Sequence, residues 1–201
     1  MKSYNEKRDF TKTREPKDEP SKKKNEKPIF VIQKHDATNL HYDFRLEIDN
    51  TLKSWSVPKG PSTDPSVKRM AIPTEDHPIA YANFEGTIPQ GEYGGGTVMI
   101  WDKGTIESNK KDKEGNIISL EESYNEGSIE VTLHGKKLKG GYNLIEMKGG
   151  KMKGNWLLMK QHDEEADARR NPVSTQSKSV VSGRSLKEIE KEEGQESTEK
   201  E

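Results

Sequence analysis

The 201-residue chain is 28% hydrophobic and 34% charged, too dilute to fold end to end as one compact unit, and a net charge of −1 excludes a generally basic nucleic-acid glue. It holds no cysteine, which removes disulfides and thiolate metal sites and fits a reducing, cytoplasmic setting. No run approaches the roughly 18 apolar residues of a membrane-spanning helix, and the opening MKSYNEKRDF lacks the apolar core of a signal peptide.

Residues 1–27 carry ten Lys/Arg against six Asp/Glu and read as a charged N-terminal arm. Residues 163–201, with seven basic against eleven acidic side chains, read as a disordered acidic tail, because such segments bury too little apolar surface to offset the entropy of ordering. Between them, residues 28–162 are near neutral, so any phosphate-binding surface there must be a local cluster.

This body is a succession of short alternating runs: PIFVIQKH, LHYDFRLEIDN, SWSVPKGP, GTVMIWDKGTIE, GSIEVTLHGKKL, GGYNLIEM and NWLLMKQ. Their β-branched and aromatic content predicts strands, with turns at IDN (48–50), WDKG (101–104) and HGKK (134–137). The expected fold is mainly β, a small closed barrel of about eight strands with one or two short helices, one of them near Glu121.

Alternation in HYDFRLEI puts Tyr42, Phe44, Leu46 and Ile48 on one face and His41, Asp43, Arg45 and Glu47 on the other. The preceding strand puts Val31, Gln33 and His35 on one face, and DATNL is short enough for the two strands to pair. His35, His41 and Asp43 then form a facial set for a divalent metal with open positions, better suited to manganese or iron than to closed structural zinc. Isolated histidines of this kind are more often surface residues. Here the composition of the whole face argues otherwise, and Arg45 beside the metal set calls for an anion, most simply phosphate.

Further along, Lys59 in VPKGP is either a turn residue or a phosphate contact. His77 precedes a proline, with Arg69 and Tyr81 near it in sequence, and suits an acid–base role or a surface one. Gly94-Gly95-Gly96 lacks the ending of a phosphate loop and reads as a hairpin or barrel bend. In SLKEIEKEEGQ, Ser185 and Glu188 fit a capping box, but Leu186 and Ile189 alone leave that helix marginal without a partner.

Taken together, FVIQKHDATNLHYDFRLEIDNTLKSWSVPKGPS and VKRMAIPTEDHPIAYANFEGTIPQGEYGGGTVMIWDKG resemble the 3′-phosphoesterase module of bacterial DNA ligase D. Tyr4, Lys7-Arg8-Asp9-Phe10, Thr13 and Glu15-Pro16 resemble that family's opening motif; Arg14 departs from it, standing where the family more often has proline. The resemblance implies a small β-barrel, manganese dependence, and removal of a 3′-terminal ribonucleoside and then the 3′-phosphate to leave a 3′-hydroxyl. It implies His35, His41 and Asp43 as metal ligands and Arg45, His77 and Tyr81 on the scissile phosphate. Arg8, Asp9, Glu15, Gln33, Lys59 and Arg69 become further active-site or strand-binding positions.

The expected partners are DNA or RNA/DNA primer–template 3′ ends and a separately encoded ligase or polymerase, for a monomeric stand-alone version of the module. Two rivals remain at this stage. His41-x-Asp43 with a distant His134 matches the ligand order of iron-dependent oxygenases on β-barrels, and a barrel that only binds strand ends or a ligase would need no chemistry at all.

Overall fold

The computed structural model describes residues 4–19 and 26–198, with side chains as far as residue 193. Nine strands follow in chain order: β1 (Ile29–Asp36), β2 (Leu40–Ile48), β3 (Thr51–Val57), β4 (Arg69–Pro73), β5 (Gly86–Ile88), β6 (Gly96–Ser108), β7 (Ser128–His134), β8 (Lys139–Glu146) and β9 (Trp156–Lys160). The spatial order β1-β2-β3-β4-β9-β8-β7-β6 returns to β1 through the β1–β6 pairing, so eight antiparallel strands close a barrel. β5 adds to the start of β6 as a ninth. Closure leaves the ring itself no free edge, the usual solution for an all-antiparallel sheet.

The predicted alternation is realised. Phe30 and Ile32 of β1, Tyr42, Phe44, Leu46 and Ile48 of β2, and Trp55 and Val57 of β3 join Trp101, Tyr142, Leu144 and Leu158 in one buried cluster filling the interior. Asp49 and Asn50, with φ of 51° and 55°, make the two-residue turn from β2 to β3; Asp and Asn tolerate this left-handed backbone better than other side chains. Ser119 Oγ accepts from Glu122 N at 3.1 Å to start helix α1 (Leu120–Asn125), next to the predicted Glu121.

HGKK turns as expected, with Gly135 N donating to Leu138 O at 3.0 Å. WDKG does not. β6 runs straight through it, bulging against β1 where the register shifts between Ile32 and Gln33. Gly104 serves a close approach instead of a turn: a Cβ there would lie 2.0 Å from the His134 carbonyl oxygen.

The segment from residue 163 to 193 is packed and not disordered. Asp167 N donates to Thr63 O at 2.9 Å, Trp101 Nε1 to Gln176 O at 2.7 Å and Val180 N to Ile100 O at 3.0 Å. After a short helix α2 (Pro172–Thr175), helix α3 (Leu186–Thr198) begins with the predicted capping box: Ser185 N donates to Glu188 Oε2 at 2.7 Å and Glu188 N to Ser185 Oγ at 3.3 Å. Its Ile189 is fully buried in the interior cluster. Charge counting overlooked a few well-spaced apolar anchors, which supply the partner the helix needed.

A second apolar cluster forms on the outer face of the barrel. Val31, Leu52, Val98 and Ile100 are covered there by Tyr4 of the arm and by Tyr81, Phe84 and Ile88 of the connection from β4 to β6. The row of polar side chains from β1 and β2 opens beside it.

Candidate active site

β1 and β2 pair with His35 opposite His41, Gln33 opposite Asp43 and Val31 opposite Arg45, so the two sequence rows become one wall. His35, His41 and Asp43 offer ligand atoms all within 4.8 Å of one another. His41 Nδ1 lies 2.8 Å from the Asn39 carbonyl, which only accepts, so Nδ1 carries a proton and Nε2 faces Asp43 Oδ1 at 3.4 Å. That backbone tether on the remote nitrogen is the usual support of a metal-binding imidazole. His35 Nε2 is buried without a hydrogen-bond partner. An orphaned imidazole nitrogen, an oriented imidazole and a carboxylate fit a divalent cation of borderline hardness, with positions left for other ligands.

Asp43 is buried, which disfavours its charge, yet the Arg45 guanidinium and its contacts with His35 and His41 hold the carboxyl well below the usual range. Burial opposes the charging of His41 too, and the Asp43 contact outweighs it, raising the imidazole above its ordinary value.

Arg45 is the hub. Nε donates to Gln33 Oε1 at 2.8 Å, Nη2 to Asp43 Oδ2 at 2.9 Å, and Nη1 lies 3.0 Å from His77 Nδ1. Three of the five guanidinium N–H groups are thereby engaged, leaving two for an anion. Gln33, fully buried, donates from Nε2 to the carbonyls of Tyr81 at 3.0 Å and Phe84 at 2.9 Å, tying the hub to the turn at Ile79–Asn83.

His77 Nδ1 also lies 2.9 Å from Glu75 O. One nitrogen cannot accept from Arg45 and donate to a carbonyl at once. A guanidinium only donates, so we assign Nδ1 as acceptor and the proton to Nε2. Burial and the neighbouring Arg45 charge depress the His77 pKa well below its ordinary value, which keeps the ring neutral. Tyr81 packs edge-on to it, ring centroids 4.6 Å apart, and burial pushes its phenol well up, so it stays a hydrogen-bond donor.

The arm closes one side. Arg8 stacks over Tyr4 at 3.7 Å, donates from Nε to Glu15 Oε1 at 2.9 Å and pairs through Nη2 with Glu75 Oε1 at 2.8 Å. With its charge so matched, Arg8 fixes the arm against the wall more than it offers itself to an anion. The resulting cavity, about 220 Å³, has Arg8, Glu15, His35, His41, Asp43, Arg45, His77 and Tyr81 in its lining.

Asp9, Lys59 and Arg69 do not line that cavity. Asp9 caps a turn of the arm, accepting from Thr11 N at 3.0 Å, with its side chain 43% exposed. Lys59 is an exposed turn residue, and Arg69 begins β4 opposite Leu158. His134, the oxygenase-like candidate, lies on β7 near Glu107, 49% exposed, and does not join His41 and Asp43. Glu75 and Tyr93 line the cavity and were missed. Glu75 sits two residues before His77, a position only the folded arm gives meaning; Tyr93 sits inside the GEYGGG run that read as a bend.

Residues 33–146 match the family described as the DNA Ligase D 3′-phosphoesterase domain. The multifunctional non-homologous end joining protein LigD of Pseudomonas aeruginosa is 45% identical over 186 residues, covering 91% of this chain and 21% of that protein. Its Mycolicibacterium smegmatis counterpart is 44% identical over 164 residues, 81% of this chain and 20% of that protein. The Mycobacterium tuberculosis protein is 43% identical over the same length. The chain thus spans about a fifth of the length of the curated relatives it matches.

Proposed function

The chain belongs to the DNA ligase D 3′-phosphoesterase domain family, and on that premise we propose that it is a metal-dependent 3′-end-processing hydrolase of non-homologous end joining. It removes a 3′-terminal ribonucleoside from a primer–template strand, then the 3′-phosphate, and leaves a 3′-hydroxyl for a ligase or polymerase. The observation that carries this is the convergence of a His35–His41–Asp43 ligand set, two spare Arg45 donors, and the His77 and Tyr81 donors in one small cavity.

A divalent cation, manganese in our reading, would be held by His35, His41 and Asp43 and supply positive charge beside the phosphoryl oxygens. Arg45 grips two of those oxygens with its free N–H groups, and Asp43 and Gln33 keep its plane fixed, so no reorganisation is needed as charge builds up. Neutral His77 presents Nε2–H, and Tyr81 its hydroxyl, as donors to the developing charge on the scissile phosphate or the leaving oxygen. Glu15 and Arg8 hold the arm in position. Asp9, Lys59 and Arg69 lie outside this set.

A labelled primer–template ending in one ribonucleotide, incubated with manganese, tests the reading. We expect a 3′-phosphate intermediate followed by a 3′-hydroxyl product, neither formed in chelator. Strand binding without any product would overturn it in favour of a non-catalytic end binder.

A further inference from the structure

The cavity's charged groups account for a phosphate but offer nothing to the nucleoside it carries, which must lie at the mouth. Tyr93 lines that cavity with 49% of its surface exposed, whereas the other lining tyrosine, Tyr81, is buried. Its position is built: Lys7 Nζ and the Arg8 guanidinium approach the ring at 4.9 and 5.3 Å from its centroid, holding it over the phosphate pocket by cation–π attraction.

The loop carrying Tyr93 is pinned at its base and open at its tip. A Cβ on Gly96 would strike the Asp36 carbonyl oxygen at 2.3 Å, while Gly91, with φ of 91°, has nothing within 4 Å. Lys12 reaches across from the arm to Glu92 at 3.1 Å, so arm and loop form one rim. An exposed aromatic ring anchored beside a phosphate site is the recurring device for holding an unpaired base, because every base offers a π-face.

We propose that Tyr93 is the stacking platform for the terminal nucleoside, a positioning residue that registers the base so that its phosphate falls on Arg45. This rests on the 3′-end-processing reading above and names where that substrate's base goes. Stacking of this kind predicts recognition of any of the four bases, and weaker binding of a terminus that lacks one.

The test compares two primer–templates, one ending in an ordinary ribonucleotide and one in an abasic ribose, with native protein, Y93A, Y93F and Y93W. Binding is read by fluorescence anisotropy in chelator, turnover separately with manganese. The native protein should bind the base-bearing end about tenfold more tightly than the abasic end. Y93A should lose that difference, with its defect falling in KM far more than in kcat, and Y93F and Y93W should retain it. Equal affinity of native protein for both ends, or a Y93A defect equal on both, would overturn the proposal. Tyr93-dependent binding without cleavage would instead sink only the hydrolase reading, and cleavage with Y93A indistinguishable from native would sink only the stacking.

Discussion

Arg45 Nη1 and His77 Nδ1 lie 3.0 Å apart with both side chains buried, so a permanent cation faces the one imidazole nitrogen able to accept from it. The pair fixes the tautomer and, with burial, depresses the His77 pKa. His77 should therefore show no titration between pH 6 and 8 by NMR, and in R45Q its titration should move back up toward the ordinary imidazole range. The sign for stability follows from the same shift. Below about pH 6.5 the unfolded chain binds a proton the folded ring refuses, so this contribution is full above that pH and declines as pH falls. H77Q should flatten that decline in urea unfolding, and a native His77 titrating near 6.5 would refute the arrangement.

Arg45→Lys preserves the charge but not the fork that meets Gln33, Asp43 and His77 together. We expect kcat on a 3′-ribonucleotide end to fall about 10²- to 10³-fold, the range seen when one preorganised donor is removed. Native-like turnover by R45K would mean that point charge alone suffices.

Gln33→Leu should be costly for a different reason. It strips a partner from Arg45 Nε and from the carbonyls of Tyr81 and Phe84. Leaving buried polar groups unmet costs about 1–3 kcal/mol, so the urea midpoint should drop clearly, with activity falling alongside. A Q33L protein as stable as the native one would show that water takes over those bonds.

Asp43→Asn retains shape and removes the only anionic member of the ligand set. Manganese affinity, measured by calorimetry, should weaken on the order of a hundredfold or more, since even supporting residues of a metal site contribute 10- to 100-fold. Undiminished affinity would move the metal elsewhere.

Helix α3 supplies the last prediction. Ile189→Ala should lower unfolding free energy by about 2–4 kcal/mol, as for other large-to-small changes in a packed core. A change under half a kcal/mol would mean that the helix only rests on the barrel.

Much of the site was legible in β2 because period-two alternation is a local property: the spacing of His41, Asp43 and Arg45 decides their common face whatever the rest of the chain does. The pairing of His35 with His41 was legible for a similar reason, the intervening DATNL being short enough for the two strands to pair. Contacts made at long sequence separation were not. Glu75 acquires its role only when Lys7 and Arg8 fold back onto it across 67 or more positions, and WDKG looked like a turn because Gly104's need for a close backbone neighbour leaves the same mark as a bend. Ile189 was invisible to a charge count. Buried Ile189, with partly buried Leu186 beside it, docks a helix whose other described side chains are mostly exposed.

The working row of β2 faces away from a barrel whose interior is already full. Chemistry and folding therefore make separate demands on alternate residues of one strand. A change at His41, Asp43 or Arg45 leaves Tyr42, Phe44 and Leu46 facing inward and disturbs only the polar wall, whereas a one-residue insertion in β2 would trade every inward side chain for an outward one.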